Sequence, residues 1–225
     1  MFNVTIDGLA GCGKSTMSRL IAKALNFRCL NTGSIYRAIT CHYLSKHTKD
    51  DITDENITSF VKDLDVKVDF SSGVQVVTVC GKEYTKHLRD EEISNLTPII
   101  SGYLVVREKV RDIQRDFAKN NDCVVEGRDI GSVVLKDADC KLFFVATSKV
   151  RAQRRYEQIK DSENCPSFQE ILNDIEERDR QDRTREHGAM IPADDAIIVD
   201  NTNDSIEETL QKCLQIINDK RNIAR

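Results

Sequence analysis

The sequence lacks the features that would place the protein in a membrane, outside the cell or around a metal ion. It has no run of about 18 apolar residues, so no segment is predicted to cross a bilayer. Its start, FNVTI after Met1, has no basic segment leading into a long apolar one, so no secretion signal is expected. The cysteines include no CxxC pair and no Cys/His spacing typical of zinc, which indicates reduced thiols in a cytoplasmic protein.

An excess of positive charge is also lacking. The formal net charge of −4 and the pI of about 5.7 argue against a general binder of nucleic acid polymers or membrane surfaces. The 225 residues, 40% hydrophobic and 31% charged, are typical of a soluble globular protein that buries its own core. No internal repeat or low-complexity linker divides the chain, so we expect one domain, with or without a smaller insertion.

Short apolar segments alternate with helical patterns along most of the chain. A helix is predicted from Lys14 to Leu25, where apolar residues recur close to the i, i+3, i+4 spacing. Strands are predicted at residues 2–6, 27–32, 123–127, 141–147 and 196–200. This alternation indicates an α/β fold in which a parallel sheet carries helices on both faces.

Two regions depart from this alternation. Residues 63–90 contain VKVDF and GVQVVTVCGKEY around a Ser71-Ser72-Gly73 turn, which predicts a small antiparallel patch attached to the core. Residues 148–187 are highly charged, helical in pattern and rich in arginine.

The segment from Gly8 to Ser15 matches the phosphate-binding pattern G-x-x-x-x-G-K-[ST] in full. The glycines let backbone N–H groups point at phosphate oxygens, Lys14 would reach the β- and γ-phosphates, and the Ser15 hydroxyl would bind Mg²⁺. A predicted strand precedes the loop and a predicted helix follows it, as the motif requires. We therefore predict a nucleoside triphosphate site formed by Gly8, Leu9, Ala10, Gly11, Cys12, Gly13, Lys14, Ser15 and Thr16.

Arginines cluster near the places where predicted strands end. Arg128 and Asp129 directly follow the strand at 123–127, and ligands bind at the carboxyl edge of a parallel sheet. The planar guanidinium suits bidentate binding of phosphate, and its charge is permanent. The other clustered arginines are Arg37, Arg107, Arg111, Arg151, Arg154 and Arg155.

A helix predicted at 168–185 has one face that changes from apolar to ionic. That face comprises Ile171, Ile175, Arg178, Asp182 and Arg185, spaced by three or four residues. Taken alone, the pattern fits an exposed helix with i, i+4 ion pairs equally well. Beside the phosphate loop and the other arginine clusters, we interpret it as a helix that packs on the core and ends in a polar cleft.

An arginine-lined cleft facing a triphosphate favours an anionic phosphoryl acceptor. A phosphate nucleophile is ionised near neutral pH, so it needs cations and in-line positioning rather than a base. A hydroxyl acceptor such as shikimate or a nucleoside would need a carboxylate, and Asp7, Glu126 and Asp129 keep that alternative open. A nucleotide-dependent switch is less favoured, because the sequence has no N-K-x-D guanine motif.

Together the motifs resemble those of the bacterial-type cytidylate kinases, a family of nucleoside monophosphate kinases. The resemblance covers nearly the whole chain and rests on TIDGLAGCGKST, TGSIYR, EGRDIGSVV, RAQRR, ERDRQDRTR and IPADDAIIVDNT. It implies a P-loop kinase core with a nucleotide-binding insertion at 36–105, and a lid and acceptor-site helix at 148–187. The implied reaction transfers a phosphoryl group from ATP to CMP or dCMP with Mg²⁺, with UMP as an alternative acceptor. We expect a monomer whose partners are these small molecules.

The resemblance also implies a role for each matching residue. Lys14, Arg128, Arg151, Arg154 and Arg155 would act on the transferring phosphoryl group. The acceptor nucleotide would be bound by Thr32, Arg37, Ser101, Arg107, Arg128, Asp129, Arg178, Asp182 and Arg185, with Asp129 accepting from the cytosine amino group. Pro98 stands where the family commonly has a serine, and Ser101 lies close enough in sequence to replace its contact to the base.

Overall fold

The computed structural model describes residues 1–71, 73–85, 88, 90–162 and 165–223. These residues form two compact units, which are described separately below. The first unit comprises Met1–Cys29 and Asn120–Arg225, and the second comprises Leu30–Lys119.

The regular elements follow one another along both units. In chain order they are β1 (Asn3–Gly8), α1 (Lys14–Leu25), β2 (Arg28–Asn31), α2 (Thr32–Leu44), α3 (Asp54–Lys62), β3 (Val66–Asp69), β4 (Val76–Val79), β5 (Lys82–Glu83), α4 (Glu91–Ile100), α5 (Leu104–Asn120), β6 (Cys123–Glu126), β7 (Cys140–Val145), α6 (Ser148–Ile159), α7 (Phe168–Thr184), β8 (Ile197–Asp200) and α8 (Ile206–Ile223). Short helical turns occupy Lys49–Asp51 and Ile130–Val134, the second of them a π-helical turn.

A parallel sheet forms the centre of the first unit. Among the described residues its strand order is β2-β6-β1-β7-β8, and β1 pairs in parallel with both β6 and β7. Strands buried on both faces need apolar residues at consecutive positions, as β7 has at Leu142, Phe143 and Phe144. Ile21 of α1 and Ile217 of α8 pack with the sheet residues in one core. This arrangement confirms the predicted parallel sheet flanked by helices.

The helices α6 and α7 carry a second apolar cluster of the first unit. Ile171, Leu172 and Ile175 of α7 pack against Ala152 of α6, with Phe168 at the edge. The apolar half of the predicted stripe is therefore buried, but against α6 and not against the sheet core. The expectation that this helix packs on the core was wrong in that respect, because the apolar residues of α6 supply the nearer partner.

The second unit contains the predicted antiparallel patch. Among the described residues β3, β4 and β5 form an antiparallel sheet, with Val66 opposite Val79 and Val68 opposite Val77. The helix α2 packs against β4 and against α4. Ser72, at the centre of the predicted turn, lies outside the described residues. Within the part of the chain that the structure describes, no helix is long and apolar enough to span a membrane.

Candidate functional site

The loop between β1 and α1 needs a glycine at each of its two ends. Gly8 has φ +133°, and a Cβ on it would lie 2.1 Å from the carbonyl oxygen of Phe144 in β7. Gly13 has φ +86° and forms the N-cap of α1. The glycine spacing of the motif therefore serves the close approach of the loop to β7 and the sharp entry into the helix.

The first turn of α1 is arranged as an anion site. Thr16 N and Met17 N donate to the Gly13 carbonyl, at 3.1 and 3.0 Å. Among the described residues no side chain caps this helix, and its first turn contains no acidic residue. The positive end of the helix therefore meets no negatively charged side chain in its own first turn, which favours a phosphate there.

Lys14 folds back over the loop. Its ammonium donates to the carbonyl oxygens of Gly8 at 2.8 Å and Leu9 at 2.6 Å, and it lies 3.7 Å from Cys12 Sγ. Burial, followed by the positive charge of Arg128, lowers the pKa of Lys14 to about 8. Cys12 is fully buried and its thiol donates to the Leu9 carbonyl at 2.9 Å. The lysine is thus held by neutral carbonyl acceptors of its own loop, which lack the negative charge that a phosphate brings.

Arg151 supports the loop from α6. Its guanidinium donates to the Ala10 carbonyl at 2.9 Å and to the Ala146 carbonyl at 2.9 Å. It also forms a bidentate pair with Asp179 of α7, at 3.1 and 2.6 Å. Arg151 was predicted to act on the transferring group; in this structure its guanidinium is buried among protein groups. Asp179 was missed in the sequence, although it follows Ile175 by four residues and so falls on the same helix face.

Asn201 was also missed, and it joins the loop to α6. Its amide donates to the Cys12 carbonyl at 2.9 Å, while its side-chain and backbone oxygens accept from Arg154 at 3.1 and 2.7 Å. The signals that the sequence offered were its position directly after β8, at the carboxyl edge of the sheet, and its place within the IPADDAIIVDNT motif. The neighbouring Arg155 is exposed.

Ser15 and Glu126 bring two oxygen groups together at the start of α1. The Ser15 hydroxyl donates to Glu126 Oε2 at 2.8 Å. Glu126 ends β6 and is buried, and burial raises the pKa of its carboxyl. A hydroxyl beside a carboxylate is the oxygen-rich ligand set that Mg²⁺ takes together with phosphate oxygens.

Three of the predicted acceptor residues form an ionic network in the first unit. Arg128 Nε donates to Asp182 Oδ2 at 2.7 Å, and Arg185 lies 2.9 Å from Asp182 Oδ1. Burial alone would raise the pKa of Asp182, but the positive charges of Arg128, Arg185 and Arg178 bring it below its ordinary value. Asp182 is therefore an ionised carboxylate that orients guanidinium groups.

A polar turn follows β6 and carries Arg128 and Asp129. Asp7, near the end of β1, accepts from Ile130 N at 2.9 Å and from Gly131 N at 2.7 Å. Burial raises the pKa of Asp7 to about 6 despite these hydrogen bonds. Both carboxylate oxygens of Asp7 thus face protein backbone, which weakens its candidacy as a general base for a hydroxyl acceptor.

The remaining predicted acceptor residues belong to the second unit. Thr32 is buried at the start of α2, and Arg37 lies over the first turn, since a Cβ on Gly33 would be 3.1 Å from Arg37 Nη1. Ser101 caps the end of α4, and its hydroxyl donates to the Pro98 carbonyl at 3.3 Å. Arg107 of α5 is buried and donates to the Ser101 carbonyl at 3.4 Å.

A cleft of about 470 Å³ opens in the first unit beside the loop. Its volume is within the range of small-molecule sites. The residues that line it, most of them charged or polar in type, are Leu9, Ala146, Ser148, Arg151, Glu176, Asp179, Arg180, Arg183 and Thr184.

Comparisons with known proteins place these features in one family. The family model described as cytidylate kinase matches residues 4–219. A curated cytidylate kinase of Caldicellulosiruptor saccharolyticus is 39% identical over 214 residues, which cover 95% of this chain and 94% of the relative. That of Thermosipho melanesiensis is 40% identical over 217 residues, covering 96% and 97%. Cytidylate kinase 1 of Haemophilus influenzae is 34% identical over 215 residues, covering 95% and 92%.

One solved structure illustrates how far the likeness in shape extends. A shikimate kinase from Bacteroides thetaiotaomicron matches 96% of this chain and 98% of its own, with a TM-score of 0.47 and 13% identity. A likeness this distant carries no argument about function.

Proposed function

Because the chain belongs to the cytidylate kinase family, we propose that it transfers the γ-phosphoryl group of ATP to CMP or dCMP, giving ADP and CDP or dCDP. The observation that carries the proposal is the extent of the match. It runs from residue 4 to residue 219, so it includes both the phosphate loop and the Arg128–Asp182–Arg185 network.

The phosphate loop is the proposed ATP site. The N–H groups at the start of α1 bind the phosphates, and Lys14 exchanges the carbonyls of Gly8 and Leu9 for phosphate oxygens. An ammonium buried beside Arg128 gains strongly from an anion, since both cations are otherwise close together. The loop residues from Gly8 to Thr16 are therefore assigned to ATP.

The Ser15 hydroxyl and the Glu126 carboxylate are the proposed protein ligands of Mg²⁺. The Ser15 hydroxyl oxygen and Glu126 Oε2 lie 2.8 Å apart at the start of α1. One or two protein ligands are enough for Mg²⁺ when phosphate oxygens and water complete its coordination shell. When bound, the ion would offset negative charge on the phosphates.

The network of Arg128, Asp182 and Arg185 is the proposed binding site for the acceptor phosphate and sugar. Asp182 holds both guanidinium groups in place, so their donors are oriented before the nucleotide arrives. Arg178 lies one turn before Asp182 on the same face of α7, and Asp129 is assigned to the cytosine amino group. The resemblance assigns Thr32, Arg37, Ser101 and Arg107 of the second unit to the same substrate, and that assignment stays a prediction.

The reaction then needs no general base. The acceptor phosphate is ionised near neutral pH, and cations offset the charge that develops as the phosphoryl group moves. Arg154 and Arg155 of α6 stay predicted contacts of that group, as does Arg151. The assignments of residues 148–187 as a lid and 36–105 as the nucleotide-binding insertion are likewise part of the proposal, with closure serving to exclude water.

An acceptor profile tests the proposed function directly. ADP release from ATP is measured with CMP, dCMP, UMP, cytidine and shikimate under one set of conditions. We expect turnover with CMP and dCMP, weaker turnover with UMP, and none with cytidine or shikimate, which lack the acceptor phosphate that the arginines bind. Turnover with cytidine equal to that with CMP would contradict the proposal.

Two variants test the acceptor assignment. Arg178→Ala and Asp182→Ala are expected to raise the KM for CMP by about tenfold or more, because each removes hydrogen bonds to or from a charged group. The KM for ATP should stay nearly unchanged. Asn173→Ala, at an exposed position of the same helix where the side chain accepts from Gln169, is the control and should leave both constants as they are. An equal rise in the two KM values would refute the assignment.

A further inference from the structure

Asp7 makes a two-point contact with the turn that follows β6. It is 5% exposed, and its oxygens accept separately from Ile130 N at 2.9 Å and Gly131 N at 2.7 Å. These are the two residues directly after Arg128 and Asp129. The Asp7 carboxylate near the end of β1 therefore holds the backbone of the turn that carries Arg128 and Asp129, the two residues predicted to bind the acceptor nucleotide.

The same turn is closed by its own backbone on the other side of Asp129. The carbonyl of Asp129 accepts from Val133 N at 2.9 Å and from Val134 N at 3.2 Å, forming the π-helical turn. Among the described residues no side chain caps this turn at Asp129 itself. Asp7 supplies the acceptors that the first N–H groups of the turn would otherwise lack.

Packing leaves the turn little room to move. A Cβ on Gly131 would lie 2.8 Å from Thr5 Oγ1 and 3.2 Å from Lys141 Cδ, so only glycine lets the backbone come this close to the sheet. Ile130 is buried as well. The turn is thus pressed against β1 and β7 while the Asp7 carboxylate fixes its direction.

A carboxylate suits this position better than an amide. Its two oxygens both accept, whereas an asparagine would direct an NH₂ group at one of the two N–H donors. The charged groups that face Asp7 are Asp129, which disfavours its ionisation, and Lys14, which favours it. The carboxylate thus keeps a charge in a buried place where two backbone donors, and a lysine, support it.

We infer that Asp7 is a positioning residue for the acceptor nucleotide: its carboxylate sets the orientation of Arg128 and Asp129, and through them the affinity for CMP and the preference for cytosine over uracil. The inference rests on the proposed function of those two residues. Asp7 itself touches no reacting atom in this role, although it directly precedes the phosphate loop.

The test compares the same substitution at two aspartates, one near the end of β1 and one that contacts the start of β1 from the residue before β7. Asp7→Asn removes one of the two acceptors beneath the turn. Asp139→Asn is the control, because Asp139 accepts from Asn3 N at 2.7 Å, an exposed contact at the far end of the strand. For each variant, the Kd of CMP and of ATP is measured by calorimetry, and kcat and KM are measured with CMP and UMP.

For Asp7→Asn we expect the Kd and KM for CMP to rise about tenfold or more, since a buried donor loses its charged acceptor. The constants for ATP should change less than about twofold, and the ratio of kcat/KM for CMP over UMP should fall. Asp139→Asn should match the wild type. Equal weakening of ATP and CMP would mean that Asp7 acts through the phosphate loop, and an unchanged Kd for CMP would mean that the turn does not depend on it; either overturns the inference.

A second pair of variants changes the packing of the turn against Thr5 instead of its hydrogen bonds to Asp7. This test is informative even if Asp7→Asn does not fold. Gly131→Ala should push the turn away from Thr5 and raise the KM for CMP, and adding Thr5→Ala to it should restore much of the lost affinity. No restoration, in a folded double variant, would count against the inference. Failure of the proposed function shows separately, as a wild-type protein that does not phosphorylate CMP.

Discussion

Replacing Asp179 by asparagine is expected to destabilise the folded protein far more than a matched change two residues away. Arg151 and Asp179 pair through two contacts of 3.1 and 2.6 Å, and their side chains are only 3% and 9% exposed. The same guanidinium donates to the carbonyls of Ala10 and Ala146. The substitution would leave a buried guanidinium cation with neutral acceptors only.

The magnitude follows from burial. Breaking a buried ion pair by removing one partner costs about 3–5 kcal/mol, because the remaining charge stays out of water without its counter-charge. With an m-value near 3 kcal/mol per molar urea, the denaturation midpoint of Asp179→Asn should fall by about 1 to 1.7 M. The KM for ATP should rise as well, because Arg151 also holds the Ala10 carbonyl of the phosphate loop.

The control is Glu177→Gln on the same helix. Glu177 also forms a bidentate pair, with Arg180 at 2.8 and 2.7 Å, but the two side chains are 47% and 67% exposed. Water and salt screen an exposed pair, so its urea midpoint and its KM for ATP should both stay close to the wild-type values. Geometry and charge are alike in the two pairs, and burial differs.

Equal midpoints for Asp179→Asn and Glu177→Gln would refute the reasoning, since burial would then have no consequence. A higher midpoint for Asp179→Asn would refute it more strongly, because the desolvation of the carboxylate would exceed everything that the pair contributes.

Two further predictions concern the phosphate loop and the strand before it. Lys14→Ala should lower kcat by about two to three orders of magnitude with unchanged circular dichroism, because a preorganised cation on the transferring group is lost; a kcat near the wild-type value would contradict this. Asp7 has a folded-state pKa of about 6 against an ordinary value of 3.8, so between these pH values its carboxyl takes up a proton when the chain folds. Its contribution to the free energy of unfolding therefore falls as pH rises from about 4 to 6, by roughly 3 kcal/mol in total. Urea denaturation across this range should show a steeper fall for the wild type than for Asp7→Asn, and parallel curves would contradict the assignment.

The elements of the fold were predictable wherever burial alone dictates the residue pattern. Strands buried on both faces must be apolar at successive positions, which made β6 and β7 recognisable to within two residues. The strands β1 and β8 were recognisable equally closely from their short β-branched segments. The helix α1 was predicted with both ends correct, because the phosphate loop determines its start and the apolar period ends at Leu25. The partner of α7 was not predictable, since an apolar stripe does not state whether a sheet or another helix covers it.

The candidate site was predictable only in part. The phosphate loop and the ionic end of α7 follow from local spacing, and the structure places Arg128, Asp182 and Arg185 in contact. Asp179 and Asn201 escaped notice because their partners, Arg151 and the Cys12 carbonyl, lie 28 and 189 residues away in the chain. An aspartate or asparagine in a charged helix or after a strand has no local feature that separates a buried partner from a solvated one.

The sequence by itself determined that this chain builds a phosphate loop on an α/β sheet, that its arginines suit an anionic acceptor, and which family its motifs resemble. Those conclusions depend on glycine spacing, apolar periodicity and residue chemistry, which are properties of short segments. Only the tertiary structure decided that Asp7 is engaged with the turn after β6, that Arg151 is buried against Asp179, and that Lys14 rests on the carbonyls of its own loop. Each of these contacts depends on which groups, distant in the chain, are packed together in the interior. A charge or N–H group buried there without a partner costs free energy, so it is paired, and packing rather than sequence order decides which group is its partner.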